Sequence, residues 1–284
     1  MKKIFLTITI MVAALSAASA QSMSALLIPT DARSMSMAAS TVALEPSAKL
    51  DAEAFWGKWA PKSADDMMAG LDAWYKVSDK FALSVDGTYF KDRPYDVTTA
   101  EGKITGTFTP NEMLFGIGGD FFASDALSIE LKAKMFMSTL ASDLKGNAFG
   151  ADLVVRYHAG CFNVAAGARN LGTPIKYGSS KSSYAMPMMA TLGGSYANSG
   201  FTAAVEADYL FSGALMAGLG LEYCVKDIVS IRAGYHYGDA QKALPSFASL
   251  GLGAKFAGVK LNFAYMLASE NIGGSLLLGL GYSF

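Results

Sequence analysis

The apolar residues of this chain alternate with small or polar residues along most of its length. Near the carboxyl terminus, Leu278, Leu280 and Tyr282 are separated by glycines, and the chain ends on Phe284. The same period of two recurs in FTAAVEADY (201–209). Because successive side chains of a β-strand point to opposite faces, this period predicts strands with one apolar face and one polar face.

About fourteen segments show this alternation. The predicted strands lie near residues 51–60, 66–77, 81–91, 111–123, 126–138, 146–158, 161–169, 187–197, 201–211, 214–225, 228–238, 246–256, 259–267 and 274–284. The connections after even-numbered strands are tight, whereas most of those after odd-numbered strands are longer. An even number of strands with alternating short and long connections is typical of an outer-membrane barrel with periplasmic turns and extracellular loops.

Aromatic residues form two bands on the apolar face. At the turn ends they are Tyr75, Phe81, Phe121, Tyr157, Phe162, Tyr196, Phe201, Tyr223, Phe256 and Phe284, and at the loop ends Tyr89, Tyr209, Tyr237 and Tyr265. Two such bands match the two interfaces of a lipid bilayer, whereas a soluble β-sandwich has no reason to form them. We therefore predict an all-β fold, a 14-stranded antiparallel transmembrane β-barrel over residues 51–284, surrounded by outer-membrane lipid.

The amino-terminal region differs from the rest of the chain. Residues 1–20 contain two lysines, an apolar run and a small-x-small site, which predict a signal peptide and export to the outer membrane of a Gram-negative cell. Residues 21–50 lack alternation but are rich in Leu, Ile and Met, so we predict a plug segment inside the barrel. A disordered periplasmic tail is the alternative.

The polar face predicts a lumen with balanced charge. The inward acidic residues are Asp72, Asp86, Asp120, Glu130, Asp152, Glu206, Asp208 and Glu222, and the inward basic residues are Lys76, Lys132, Lys134, Arg156, Arg169, Arg232, Lys255 and Lys260. An ion-selective pore would carry rings of one sign. We expect cross-strand salt bridges that hold the wall together.

No pattern indicates catalysis, a metal site or a cofactor. The two histidines, His158 and His236, fall at opposite ends of their strands and cannot share a site, so we predict satisfied lumen side chains and no enzyme activity. The formal net charge of −1 does not favour nucleic-acid binding. Cys161 and Cys224 lie three strands apart, which predicts two buried thiols rather than a disulfide.

Three stretches resemble the PorV/PorQ family of Bacteroidota outer-membrane proteins. They are LLIPTDARSMSMA (26–38), ITGTFTPNE (104–112) and ARNLGTPIKY (168–177). The predicted strand count also matches the wider FadL-like class of barrels. In the first stretch, Pro29, Asp31 and Arg33 correspond to the family's plug motif.

The resemblance implies a role in type IX secretion. Its partners would be the C-terminal domains of secreted cargo and a surface attachment complex. The implied partner-binding residues on the extracellular rim are Thr107, Phe108, Pro110, Asn111, Glu112, Asn170, Leu171 and Gly172. Tyr282 and the terminal Phe284 resemble the signal that the barrel-assembly machinery recognises.

Two other functions are compatible with such a barrel. A FadL-like channel would take up hydrophobic small molecules, and glycine-rich stretches such as Gly116–Gly119 or Gly251–Gly253 would mark bends in its wall or crowding by the plug. A general diffusion porin is disfavoured by the predicted plug and the balanced lumen charge.

Overall fold

The computed structural model describes residues 23–284 apart from 45, 47, 181 and 269–271, so the predicted signal peptide lies outside the described residues. A short 3-10 helix (Ser24–Leu27) and helix α1 (Ala32–Ser36) come first. The strands are β1 (Leu50–Trp59), β2 (Asp66–Ser78), β3 (Phe81–Lys91), β4 (Tyr95–Thr98), β5 (Ile104–Phe108), β6 (Asn111–Ser124), β7 (Leu127–Thr139), β8 (Lys145–Ala159), β9 (Phe162–Gly172), β10 (Met189–Asn198), β11 (Phe201–Leu210), β12 (Ala214–Val225), β13 (Val229–Tyr237), β14 (Phe247–Phe256), β15 (Val259–Ala268) and β16 (Leu276–Ser283).

All of these strands except β4 and β5 form one closed barrel of 14 antiparallel strands. Each strand pairs with its neighbours in the barrel, and the seam closes where β1 pairs with β16 from Asp51–Ser283 to Lys58–Leu276. The predicted fold is confirmed, and each predicted barrel strand agrees with the observed one to within a few residues.

Strands β4 and β5 form a separate two-stranded sheet in the connection between β3 and β6. We expected only a loop there, because these strands are too short to show a clear alternation. Among the described residues, no helix is long and apolar enough to span a membrane.

The outer surface of the barrel is apolar along the middle of every strand. Leu131 of β7, for example, is 62% exposed. Aromatic side chains flank this band at the end with the tight turns, which we call the turn end; they include Tyr75, Phe121, Tyr157, Phe162, Tyr223 and Phe256. Exposed apolar side chains in such a band are what a lipid environment requires, since the backbone polar groups are already paired in the closed sheet.

The carboxyl terminus completes the seam. The amide nitrogens of Lys49 and Leu50 donate to the Phe284 carbonyl at 2.7 and 3.0 Å, and the Phe284 amide donates to the Leu50 carbonyl at 3.1 Å. The rings of Tyr282 and Phe284 lie 5.9 Å apart at the turn end. The last residue therefore joins the first strand to the last.

A charged residue on the apolar band should weaken the barrel. We expect Leu131→Arg to lower the free energy of unfolding in lipid vesicles by about 2–4 kcal/mol, because the guanidinium would replace an apolar group near the middle of the bilayer. The matched control is Leu140→Arg, in the loop after β7, which should cost about 0–1 kcal/mol. If a urea titration showed the same loss of unfolding free energy for both variants, the band would not face lipid.

Candidate functional site

A network of ion pairs, which we call the charged lattice, occupies the turn half of the lumen and extends into the loop half at Arg169 and Asp208. Its centre is Arg156, which contacts Asp120 at 3.3 Å, pairs with Glu130 and donates from Nε to the Val42 carbonyl at 2.8 Å. The remaining pairs are Lys132–Asp86, Lys134–Asp152, Arg169–Glu206, Arg169–Asp208, Arg232–Glu222, Lys260–Asp51 and Lys260–Glu53. These pairs confirm the expected cross-strand salt bridges.

The lumen carries more acidic residues than predicted, because the prediction missed two on strand β1. Asp51 and Glu53 of β1 also line the lumen, so acidic residues are in excess. They were missed because β1 carries apolar side chains on both faces: Phe55 and Trp59 are buried, whereas Trp56 is exposed on the outside. Asn262 and Lys260 of β15 bind the two carboxylates.

Residues 23–44, which we call the lumenal segment, lie inside the barrel. Asp31 caps α1 by accepting a hydrogen bond from the Ser34 amide at 2.7 Å. Arg33 binds Glu222 at 2.8 and 3.2 Å. Burial lowers the pKa of Arg33, but Glu222 outweighs that effect and raises it above its ordinary value. Of the three residues of the predicted motif, Arg33 therefore links the segment to β12, Asp31 caps α1 and Pro29 is buried.

Other polar contacts fasten the rest of the lumenal segment. The Val42 amide donates to Glu206 at 2.8 Å, and the Ser195 hydroxyl donates to the Ala43 carbonyl at 3.1 Å. The Ser249 hydroxyl donates to the Ser36 carbonyl at 2.9 Å. The segment is therefore held by side chains from several strands.

Inward-facing glycines let the lumenal segment approach the wall. They are Gly193, Gly218, Gly220, Gly234 and Gly251. A methyl group on Gly218 would lie 2.5 Å from the Ala38 carbonyl oxygen, and one on Gly251 would lie 2.3 Å from the Ser36 Cβ. Crowding by the segment accounts for Gly251, whereas a methyl group on Gly116 would instead meet the Asp86 side chain at 2.5 Å.

The loop half of the lumen is filled by apolar side chains, which we call the apolar compartment. The barrel contributes Trp59, Met68, Phe90, Leu114, Phe136, Met189, Met216, Phe247 and Met266, the lumenal segment Met23, Ala25 and Met35, and the loops Ile175, Tyr177, Met186 and Leu244. All of these side chains are buried. Methionine side chains are flexible and polarizable, so such a lining can adapt to apolar ligands of different shape.

Two of the cavities that adjoin the lumenal segment differ in their lining. One of about 550 Å³ opens at the turn end and is lined by charged groups such as Arg33, Glu53, Asp72 and Lys260. The other, of about 180 Å³, lies between the lumenal segment and strands β9 to β13, where apolar side chains of the compartment meet Arg169 and His236. The second cavity is where the apolar and charged halves of the lumen meet.

The predicted rim residues lie at the loop end, and the structure separates them from the plug motif. Thr107 and Phe108 belong to β5, Pro110 follows it, Asn111 and Glu112 begin β6, and Asn170, Leu171 and Gly172 end β9. The Phe108 ring lies 5.8 Å from that of Tyr95 within the two-stranded sheet.

Asn170 has a structural environment that the sequence did not indicate. It is 1% exposed, has a φ of 56°, and lies at a register shift between β8 and β9. Its amide nitrogen donates to Asp152 at 2.8 Å, and its side chain accepts from Lys134 at 2.9 Å and donates to the Pro187 carbonyl at 3.2 Å. Asn170 therefore fixes the end of β9 and the returning loop.

The histidines and cysteines occupy four separate places. His158 lies at the turn end, 2.7 Å from Asn163, whereas His236 lies in the cavity wall. Both cysteines are free; the expectation of two buried thiols is wrong, because Cys161 lies exposed in the tight turn before β9 and Cys224 is half-buried. In the described part of the chain, no group of three or more His, Cys, Asp or Glu side chains is placed to hold a metal ion.

The closed 14-stranded barrel is a fold that the chain shares with solved transport proteins. It is similar to the Ralstonia pickettii toluene transporter TbuX, with a TM-score of 0.61 and 10% identity over 91% of this chain and 99% of the other. It is also similar to the P. putida toluene transporter TodX, with a TM-score of 0.58 and 12% identity over 94% and 96%. No protein-family model and no curated protein sequence matches the chain.

The charged lattice should depend strongly on Arg156. We expect Arg156→Leu to lower the free energy of unfolding in vesicles by about 3–5 kcal/mol, because Asp120 and Glu130 would stay buried without their partner. Lys80→Leu, in an exposed turn, is the control and should change it by about 0.5 kcal/mol or less. Tryptophan fluorescence during urea titration reports both values. Similar stability of the two variants would mean that the lattice does not hold the wall together.

The glycine contacts predict how the lumenal segment can be displaced. Gly218→Ala should loosen residues 36–42, because the new methyl group would overlap the Ala38 carbonyl, and the hydrogen exchange of their amides should accelerate at least about tenfold. Gly194→Ala is the matched control, since its methyl group would meet nothing closer than 3.8 Å. Unchanged exchange in Gly218→Ala would show that the segment is not seated against β12.

Proposed function

We propose that the chain is an outer-membrane transport protein that takes up small hydrophobic molecules. The observation that carries this proposal is the apolar compartment at the loop end, directly above the charged lattice. Outer-membrane barrels have short turns on the periplasmic side and longer loops on the extracellular side, so the loop end faces the cell exterior. A hydrophobic molecule arriving from outside would therefore meet an apolar, methionine-rich lining first.

The filling of the lumen argues against an open, water-filled pore. Phe136, Met35 and Met266 are completely buried, so side chains occupy the space through which water would have to pass. Behind them the lumenal segment crosses the lumen and is fixed to Glu222 and Glu206. Ions and sugars gain nothing from the apolar compartment, whereas an apolar solute can exchange water contacts for contacts with it.

The structural neighbours support the same proposal. TbuX and TodX are described as toluene transporters, and a TodX variant is described as a monoaromatic hydrocarbon channel, with a TM-score of 0.55 and 12% identity. At this identity the likeness concerns the fold. The substrate class proposed for this chain rests on its own apolar compartment.

The test is uptake of radiolabelled toluene by cells whose outer membrane contains the protein. We expect faster initial uptake than in cells without it, and no increase for a labelled sugar. Met186→Glu should abolish most of this increase in toluene uptake, because a carboxylate would draw water into the compartment. Met186→Leu is the control and should keep the increase. Met186 lies in a loop, so the wall is left intact, and a gel-mobility assay for the folded barrel checks both variants.

Two results would contradict the proposal. One is toluene uptake equal to that of cells without the protein. The other is entry of the sugar at a comparable rate, which would indicate a diffusion pore.

Partner binding in type IX secretion is a second candidate function. The observation that favours it is the sheet of β4 and β5, whose side chains Tyr95, Val97 and Ile104 are exposed beyond the barrel. Thr107 and Phe108, which the family resemblance implies in partner binding, belong to the same sheet. Crosslinking from position 104 in the native membrane tests it: capture of secreted proteins that share a C-terminal domain supports the role, and labelling of lipid alone opposes it.

A further inference from the structure

The cavity of about 180 Å³ between the lumenal segment and strands β9 to β13 has two unlike walls. Its apolar wall includes Leu26, Leu27, Ile28, Met189 and Met216, and its polar wall Arg169, Glu206, Asp208 and His236. A dry cavity of about 150 Å³ accommodates benzene. The volume therefore suits one six-membered ring with one or two small substituents.

His236 gives the polar wall an unmet hydrogen-bonding capacity. The side chain is 3% exposed, and the Ala38 backbone carbonyl lies near the ring, but neither ring nitrogen makes a well-formed hydrogen bond among the described residues. Its ring stacks on Phe247 at 4.9 Å, with an angle of 15° between the planes, which fixes the ring's orientation. Leaving such groups buried and unpaired is costly, so a ligand that pairs with them would bind more tightly.

The chemistry of imidazole defines the matching ligand group. A neutral imidazole offers one donor and one acceptor, and a hydroxyl group can both accept and donate. One hydroxyl on the ligand could therefore pair with His236 in either tautomer. Arg169 Nε, which is also unpartnered among the described residues, is a further donor on this wall.

The charges around the cavity disfavour an anionic ligand. Arg169 binds Glu206 at 2.6 Å and Asp208 at 2.7 Å, so two carboxylates already neutralise its guanidinium. Asp31 adds a third carboxylate to the lining. A ligand carboxylate would meet an excess of negative charge and would lose its hydration without a free counter-ion.

We infer that this cavity binds a small, uncharged aromatic molecule carrying one hydroxyl group, which His236 recognises. The inference rests on the proposed uptake of hydrophobic molecules and names the substrate class. The ring would lie against Leu27, Ile28 and Met189, and the hydroxyl would face His236. Because Glu206 binds both Arg169 and the Val42 amide, the same polar wall also holds the lumenal segment.

The experiment compares three ligands of one shape on the purified, folded full-length protein: toluene, p-cresol and p-toluate. Calorimetry at neutral pH should show p-cresol binding about tenfold more tightly than toluene, since it gains a hydrogen bond to a buried group. Binding of p-toluate should be at least about tenfold weaker than that of p-cresol.

The variant His236→Phe isolates the role of the ring nitrogens, because phenylalanine can keep the stacking on Phe247. We expect it to remove the advantage of p-cresol over toluene. His158→Phe is the matched control: it changes the chain's other histidine, at the turn end, and should leave that advantage in place.

Each contrary result overturns the inference. Equal affinity for p-cresol and toluene in the unsubstituted protein, or the same preference in His236→Phe, would remove His236 from recognition. Binding of p-toluate as tight as that of p-cresol would refute the charge argument. In any of these cases, toluene uptake by cells would still support the transport function. The transport function falls with the inference only if uptake also fails.

Discussion

Closure of the sheet is the constraint on which the rest of the structure depends. In a bilayer core, every unpaired backbone amide or carbonyl costs several kcal/mol, so a sheet that spans the membrane can have no free edge. Here β1 pairs with β16 along almost its whole length, and the backbone of Phe284 continues the pairing to Leu50. The apolar outer band can face lipid only because this seam is sealed.

A closed barrel of this size encloses a space that must be filled or left to water. The chain fills it in two ways: with the charged lattice, which lies mainly in the turn half, and with the apolar compartment in the loop half. The lumenal segment joins the two, because Met23 and Met35 lie in the compartment while Arg33 binds the lattice residue Glu222. Glycines such as Gly218 give it room against the wall. In the function proposed for the chain, this division would favour apolar solutes.

Much of the fold follows from period-two alternation, because one buried and one lipid-facing side leave a strong signal along each strand. The pattern failed on β1, where Phe55 faces inward and Trp56 outward, since both faces are apolar and the period does not say which is the lumen. It also missed β4 and β5, which are too short and too exposed to alternate.

The candidate site was harder to predict than the barrel. The sequence placed Arg169, Glu206 and His236 in the lumen, but it could not show that Glu206 and His236 lie at the same level or that the Arg169 side chain reaches Glu206. That depends on strand register: Gly193, Glu206, Gly218 and His236 lie side by side across β10 to β13. His236 was expected to be a satisfied side chain, yet neither of its ring nitrogens makes a well-formed hydrogen bond among the described residues, although the Ala38 carbonyl lies near the ring. Only the assembled barrel, with Leu27 and Ile28 brought in from the lumenal segment, forms the cavity.

The most direct test of this account is the ionic current through the intact protein in a planar lipid bilayer. A lumen filled by the apolar compartment and crossed by the lumenal segment should pass no steady current at low voltage, although the barrel is correctly inserted. A steady current proportional to voltage, of the size of an open pore, would contradict the account. It would mean that water fills the barrel and that the apolar compartment does not control what passes.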